Sequence, residues 1–241
     1  LNKKIMKLIS NKYIFNYEKI AIHQPNYLPW LGYFSKLFNS DIFIFLDDVQ
    51  YTKNSWQNRV LIKTPQGGNK ITQPIKKVNG LNTLTCDIIF ADNNWKKNHL
   101  KTLALNYKKA PLFNEFFNVI EEIFSFQSPL LSEFNINAIL IICEYLSIKK
   151  SYSLSSSMNI KSKSSQRLID IIRLNHAKKY IHGKGGLSYQ DKNLFLKNEI
   201  KLISNNFLSK EYKQLWGEFK EGLSIVDACF NLPKEEVIKL L

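Results

Sequence analysis

Two short apolar runs, IAIHQ at residues 20–24 and DIFIFLDD at 41–48, bracket a stretch whose period is helical, WLGYFSKLFNS, and this arrangement restricts the fold more than anything else in the chain. Each run has the length and the Ile and Phe content of a buried strand, and each ends in polar groups. Between them the prolines of PNYLP exclude regular backbone, so a helix starts near Pro29. Strand, turn, helix, strand is the pattern of a parallel βαβ unit with a right-handed crossover. The chain is expected to be α/β, with a Rossmann-like parallel sheet core.

The remaining segments extend that core. NRVLIKTP and NKITQPIKKV flank QGG and read as an inserted β-hairpin, and TLTCDIIFA reads as a further strand. A helical middle segment follows at about 93–149, in three pieces separated at Pro111 and Pro129. KSYSLSSS, KKYIHGKGG and KLISNNF then read as strands, with helices SSQRLIDIIRLNHA and DKNLFLKNEI between them. LSIVDACFNLPKEEVIKLL reads as two short helices broken at Pro233. The expected organisation is a poorly ordered basic extension over 1–18 and a single α/β domain over 19–241.

Thirty-four Lys and Arg against 20 Asp and Glu leave a net charge of +14. Such a balance draws phosphate-bearing partners: nucleic acid, nucleotides or anionic head groups. A lysine-rich compositional bias produces the same excess without a binding role, and both readings stand open. Cys86, Cys143 and Cys229 lie far apart with no CxxC or zinc spacing, which suits a reduced, cytoplasmic setting. The longest apolar stretch, residues 136–148, has the length of a core helix, and no run of about 18 apolar residues suggests a membrane span.

In open parallel sheets ligands collect beyond the carboxyl ends of the strands. His23, Gln24 and Asn26 follow one such strand, and Asp47, Asp48 and Gln50 follow another. His23 suits a general base or a phosphate donor, against the alternative of a histidine bonded to nearby backbone. Asp47 and Asp48 suit Mg²⁺, a substrate amine or a hydroxyl, or else one of them caps a turn. Arg59 and Lys63 project from one strand face and suit phosphate oxygens, with solvated charge as the alternative. Trp30 and Trp56 are either core or stacking platforms. Ser155 and Ser156 in SLSSS, and Gly185 and Gly186 in HGKGG, put small turns after strands, where backbone amides cradle anions.

Taken together, IAIHQPNYLPWLGYFSKL, DIFIFLDDVQYTKNSWQNRVLIK, YIHGKGGLSYQDKNLFLKNEIKL and LSIVDACFN resemble the WbqC-like protein family over essentially everything after residue 19. The family motif positions carried by this chain are His23, Gln24, Pro25, Asn26, Pro29, Trp30, Asp47, Asp48, Gln50, Asn58 and Arg59. His182 stands where the resemblance leads one to expect serine, so the resemblance assigns it no role. The family is associated with bacterial O-antigen and other surface-polysaccharide pathways, several of which make N-acylated or aminoacylated amino sugars. HQPN is also similar to the H-x-G-H turn of nucleotidylyl transferases and adenylate-forming amide ligases, with Pro25 for the glycine and Asn26 for the second histidine.

The resemblance thus implies a transferase or ligase that modifies a nucleotide-linked amino sugar, using ATP with Mg²⁺ or an activated acyl or aminoacyl donor. In that scheme His23 and Asn26 contact phosphate, Asp47 or Asp48 handles the amine, and Arg59 holds the diphosphate. Three alternatives come from other classes: a nucleotidylyl transferase-like enzyme, a binding protein for nucleic acid or aminoacyl-tRNA, and a scaffold without chemistry of its own.

Overall fold

A computed structural model describes residues 17–183 and 191–241, so Gly185 and Gly186 lie outside the described residues, as does nearly all of the basic extension. In chain order the elements begin with β1 (Lys19–His23), α1 (Leu31–Phe38), β2 (Ile42–Phe45), β3 (Arg59–Thr64), β4 (Gly67–Thr72), β5 (Ile75–Lys76) and β6 (Ile89–Phe90). They continue with α2 (Asn94–Tyr107), α3 (Phe113–Ser125), α4 (Leu131–Tyr145), β7 (Ser151–Leu154), α5 (Ser164–Leu174), β8 (Lys179–His182), α6 (Lys192–Lys197), β9 (Lys201–Ser204), α7 (Ile225–Asn231) and α8 (Lys234–Lys239). These elements fall into two compact units. The described residues of 1–24, 35–48 and 150–208 form the first, and Pro25–Phe34, Val49–Lys149 and Ser209–Leu241 form the second.

The first unit is the expected Rossmann-like core. Its five strands are parallel throughout, in the order β7-β2-β1-β8-β9. Counted along the chain that order is 3-2-1-4-5, the doubly wound arrangement whose direction of travel reverses between the first and fourth strands, here β1 and β8. Ile20 and Ile22 of β1, Ile42 and Ile44 of β2 and Tyr180 of β8 turn one face toward Ile169, Ile171 and Ile172 of α5 and Phe195 of α6. Alternation puts Ala21 and Phe43 on the opposite face, also fully buried. Both faces are covered, which is why IAI and IFIF carry no polar alternation.

The second unit holds the hairpin and most of the helices. β3 and β4 pair antiparallel with Thr64 opposite Gly67, so the turn is Pro65–Gln66 and both glycines of QGG belong to β4. Gly67 at φ +101° supplies the backbone that this tight reversal needs. TLTCDIIFA is mostly not strand: Thr85–Asp87 is a 3₁₀ turn, Leu84 makes an isolated bridge to Gln50, and Ile89–Phe90 forms the one strand, paired with β5. The core of this unit is aromatic, with Trp95 wedged among Phe90, Phe124 and Phe134 and with Tyr107 stacked on Phe230. Among the described residues no helix is long and apolar enough to cross a membrane.

Ile44 has no solvent exposure and packs in the sheet-to-helix core of the first unit. Ile44→Ala should lower the unfolding free energy by about 2–5 kcal/mol, measured by urea denaturation with the slope unchanged.

Candidate functional site

The candidate residues divide between the two units. In the first, His23 ends β1 and is half-buried. Its Nδ1 lies 3.0 Å from the Gln24 carbonyl, which can only accept, so Nδ1 carries the proton and Nε2 is the acceptor in the neutral ring. Burial, followed by the positive charge of Lys36, pushes the His23 pKa down to about 3, and the ring is neutral at pH 7. It therefore suits accepting a hydrogen bond better than drawing a proton fully away. His182, the last residue of β8, makes the corresponding contact, Nδ1 to the Gly183 carbonyl at 3.1 Å.

Asp47 and Asp48 follow β2 and meet Ser155 and Ser156, which follow the neighbouring strand β7. The Ser156 amide (3.0 Å) and the Ser155 hydroxyl (3.1 Å) donate to Asp47 Oδ1, and the Ser156 hydroxyl donates to Oδ2 (2.7 Å). Ser155 Oγ also contacts Asp48 Oδ1, and with one proton it serves one carboxylate at a time. Arg167 on α5 pairs with Asp48 Oδ2 and ties the carboxylate to the Ile160 and Ser162 carbonyls. Burial is the leading influence on Asp47 and raises its pKa, while the serine bonds oppose it. The oxygens that Mg²⁺ would need are engaged by donors of the chain itself, and this set does not fit a cation site. Among the described residues no group of three or more His, Cys, Asp and Glu could hold a metal ion.

In the second unit Asn26, Tyr27, Pro29, Trp30, Trp56, Arg59, Val60, Leu61 and Gly222 enclose a cavity of about 230 Å³. Trp30 and Trp56 are 42% and 50% exposed, unusual for residues of that size, and both line this cavity. The Trp30 indole lies against Gly32, where an added Cβ would come within 2.5 Å of the ring. Arg59 donates to Asn54 Oδ1 (3.1 Å), and its Nε has no partner among the described residues. The cavity thus offers flat apolar walls and an incompletely used guanidinium.

The loops that build it are fastened from below. The Tyr27 amide donates to the Trp56 carbonyl (3.1 Å), and Asn135 on α4 donates to both the Pro25 (3.0 Å) and Gln57 (2.7 Å) carbonyls. Ser224, the N-cap of α7, donates to the Leu28 carbonyl (2.7 Å), which holds Leu28 in its left-handed turn at φ 39°.

Other expected binders serve elsewhere. Asn58 is buried, accepting from Tyr51 and donating to the Gln73 carbonyl, and Gln50 donates to the Leu81 carbonyl. Lys63 does not join Arg59 at the cavity. Its buried ammonium donates to Gln214 and to the Glu218 carbonyl, near Asp227, which accepts from Tyr107 and Tyr212 and whose pKa burial raises to about 6. Three residues that sequence reasoning passed over matter here: Lys36, Asn135 and Arg167. Each sits on a helix as one polar residue among many, and only its tertiary partner marks it out.

A doubly wound α/β unit, with polar groups collected at strand ends, defines a Rossmann-like protein. The sequence matches the WbqC-like protein family over residues 24–239, and the chain belongs to that family. It is 34% identical over 220 residues to the uncharacterized protein Rv1507c of Mycobacterium tuberculosis, a match that takes in 90% of this chain and 95% of that protein. No solved structure matches it.

Two outcomes follow from this geometry. Asn135→Ala leaves two buried carbonyls without donors and should cost about 2–4 kcal/mol in urea denaturation. Burial lowers the Lys36 pKa from 10.5 to about 7. Between those values the unfolded chain holds a proton that the folded one lacks, so this group makes stability rise with pH, by up to about 1.4 kcal/mol per unit. Melting curves from pH 7 to 10 should show that rise in the parent protein and a flatter profile in Lys36→Met.

Proposed function

We propose that the chain is a transferase or ligase that binds a nucleotide-linked amino sugar and forms an amide on the sugar nitrogen during surface-polysaccharide synthesis. The observation that carries this reading is the cavity walled by Trp30 and Trp56 beside Arg59. Its volume of about 230 Å³ lies below the roughly 300–1,000 Å³ of sites that engulf a whole drug-sized ligand. It suits one ring of the substrate, stacked on an indole, with the remainder outside. A base or sugar ring supplies the flat partner, and the diphosphate supplies the charge for the guanidinium. The net charge of +14 favours such an anionic substrate over a neutral one. Asn26 supplies a polar edge to the cavity.

The test is a thermal-shift and calorimetric screen against UDP- and dTDP-linked amino sugars, ATP with Mg²⁺, acetyl-CoA and a short RNA. A sugar nucleotide present at a hundred times its dissociation constant should stabilise the fold by roughly 2.7 kcal/mol. Trp56→Ala should weaken that binding by about 1–3 kcal/mol, and Gly32→Ala should weaken it by displacing the Trp30 indole. A response to RNA alone, or a sugar-nucleotide response that survives both substitutions and Arg59→Ala, would sink the reading.

A further inference from the structure

Lys36 lies in the last turn of α1 and is 4% exposed. Its ammonium donates to the Ile22 carbonyl at 2.7 Å, one residue before the end of β1. That position coincides with a change in the sheet. β1 keeps four register pairs with β2, through His23↔Phe45, but three with β8, the last being Ala21↔Ile181. The ladder between β1 and β8 ends at the point where the doubly wound order reverses, and the Lys36 ammonium takes the next carbonyl in place of another rung. Strands that part in this way open the crevice in which such sheets hold ligands.

Among the described residues none gives that ammonium a counter-charge. Its neighbours are the His23 imidazole on β1 and the Tyr180 ring on β8, whose centroid is 5.6 Å away. His182 lies two residues beyond Tyr180, and Ser35 beside it on α1 donates to Asn205 just past β9. None of these is an acid, and among the described residues no carboxylate forms an ion pair with Lys36. A buried ammonium with one of three donors used is costly unless an anion completes it. The acids nearest in sequence are committed elsewhere, Asp41 to the Glu18 and Lys19 amides, and Asp47 and Asp48 to Ser155, Ser156 and Arg167.

We propose that Lys36 is the cationic anchor of an anion site at the carboxyl ends of β1 and β8, taking a phosphate or carboxylate group of a ligand. The site belongs to the first unit and does not rest on the ring-binding cavity of the second. Loading the anion holds the lysine protonated, so binding draws in a proton when the pH lies above the lysine's own titration, with His23 and Tyr180 as the other titratable groups beside it.

Calorimetry with inorganic phosphate, pyrophosphate and acetate tests it, at pH 8 in two buffers of different ionisation enthalpy. Pyrophosphate or phosphate binding with net proton uptake assigns a phosphate site, and acetate binding alone assigns a carboxylate site. Lys36→Met should weaken the effective probe by about 10- to 100-fold and abolish the uptake, and Lys36→Arg should restore binding without uptake. Should Lys36→Met fail to fold, reductive methylation of the parent protein gives the same answer, because the bound probe should slow modification of Lys36 and not of surface lysines. No binding by any probe, or binding with unchanged affinity in Lys36→Met and no protection of Lys36, would overturn the proposal.

Discussion

The first unit depends on β1 having a parallel partner on each side. With β2 on one edge and β8 on the other, the peptide groups of IAI are buried without being left unpaired, and both of its faces can carry aliphatic side chains. Everything chemical in that unit is measured from where this pairing ends. His23 and His182 close the two strands, the aspartates follow β2 and meet the serines that follow β7, and Lys36 occupies the carbonyl at which the ladder with β8 stops.

Much of this was legible in the sequence, and for simple reasons. Buried parallel strands read as continuous apolar runs, and prolines mark the breaks, so the βαβ start, the hairpin and the three middle helices fall where their periods put them. Sheet order was not legible, because a strand buried on both faces does not encode its neighbours. TLTCDIIFA has strand composition but is strand only at Ile89–Phe90, because a 3₁₀ turn interrupts it at Thr85–Asp87, with the Thr85 hydroxyl and amide drawn to Val49.

The candidate site shows the same division. HQPNYLPW and DDVQ were conspicuous because polar groups interrupt an apolar run. The partners that give them their state lie far along the chain: Ser155 and Ser156 meet Asp47 from 108 and 109 residues away. Lys36 and Asn135 look like ordinary polar positions on helices until their hydrogen bonds to buried carbonyls are seen. Lys63 erred in the opposite direction from a pattern standpoint, since strand alternation puts it on the Arg59 face while a buried network with Gln214 and Asp227 claims its charge.

The first unit is assembled from three separate lengths of chain, with all of Val49–Lys149 interposed between β2 and β7. As the chain leaves the ribosome, β1 can find β2 at once but must wait for β8 until most of the protein has been made. During that interval one edge of an unusually greasy strand has no partner, and the contacts that finally cover it are long-range ones that form slowly. Solubility of the nascent chain is therefore decided by what shields that edge before residue 179 appears, and Lys19 on the strand itself, with Glu18 beside it, is the nearest charge able to discourage a second copy from adding there.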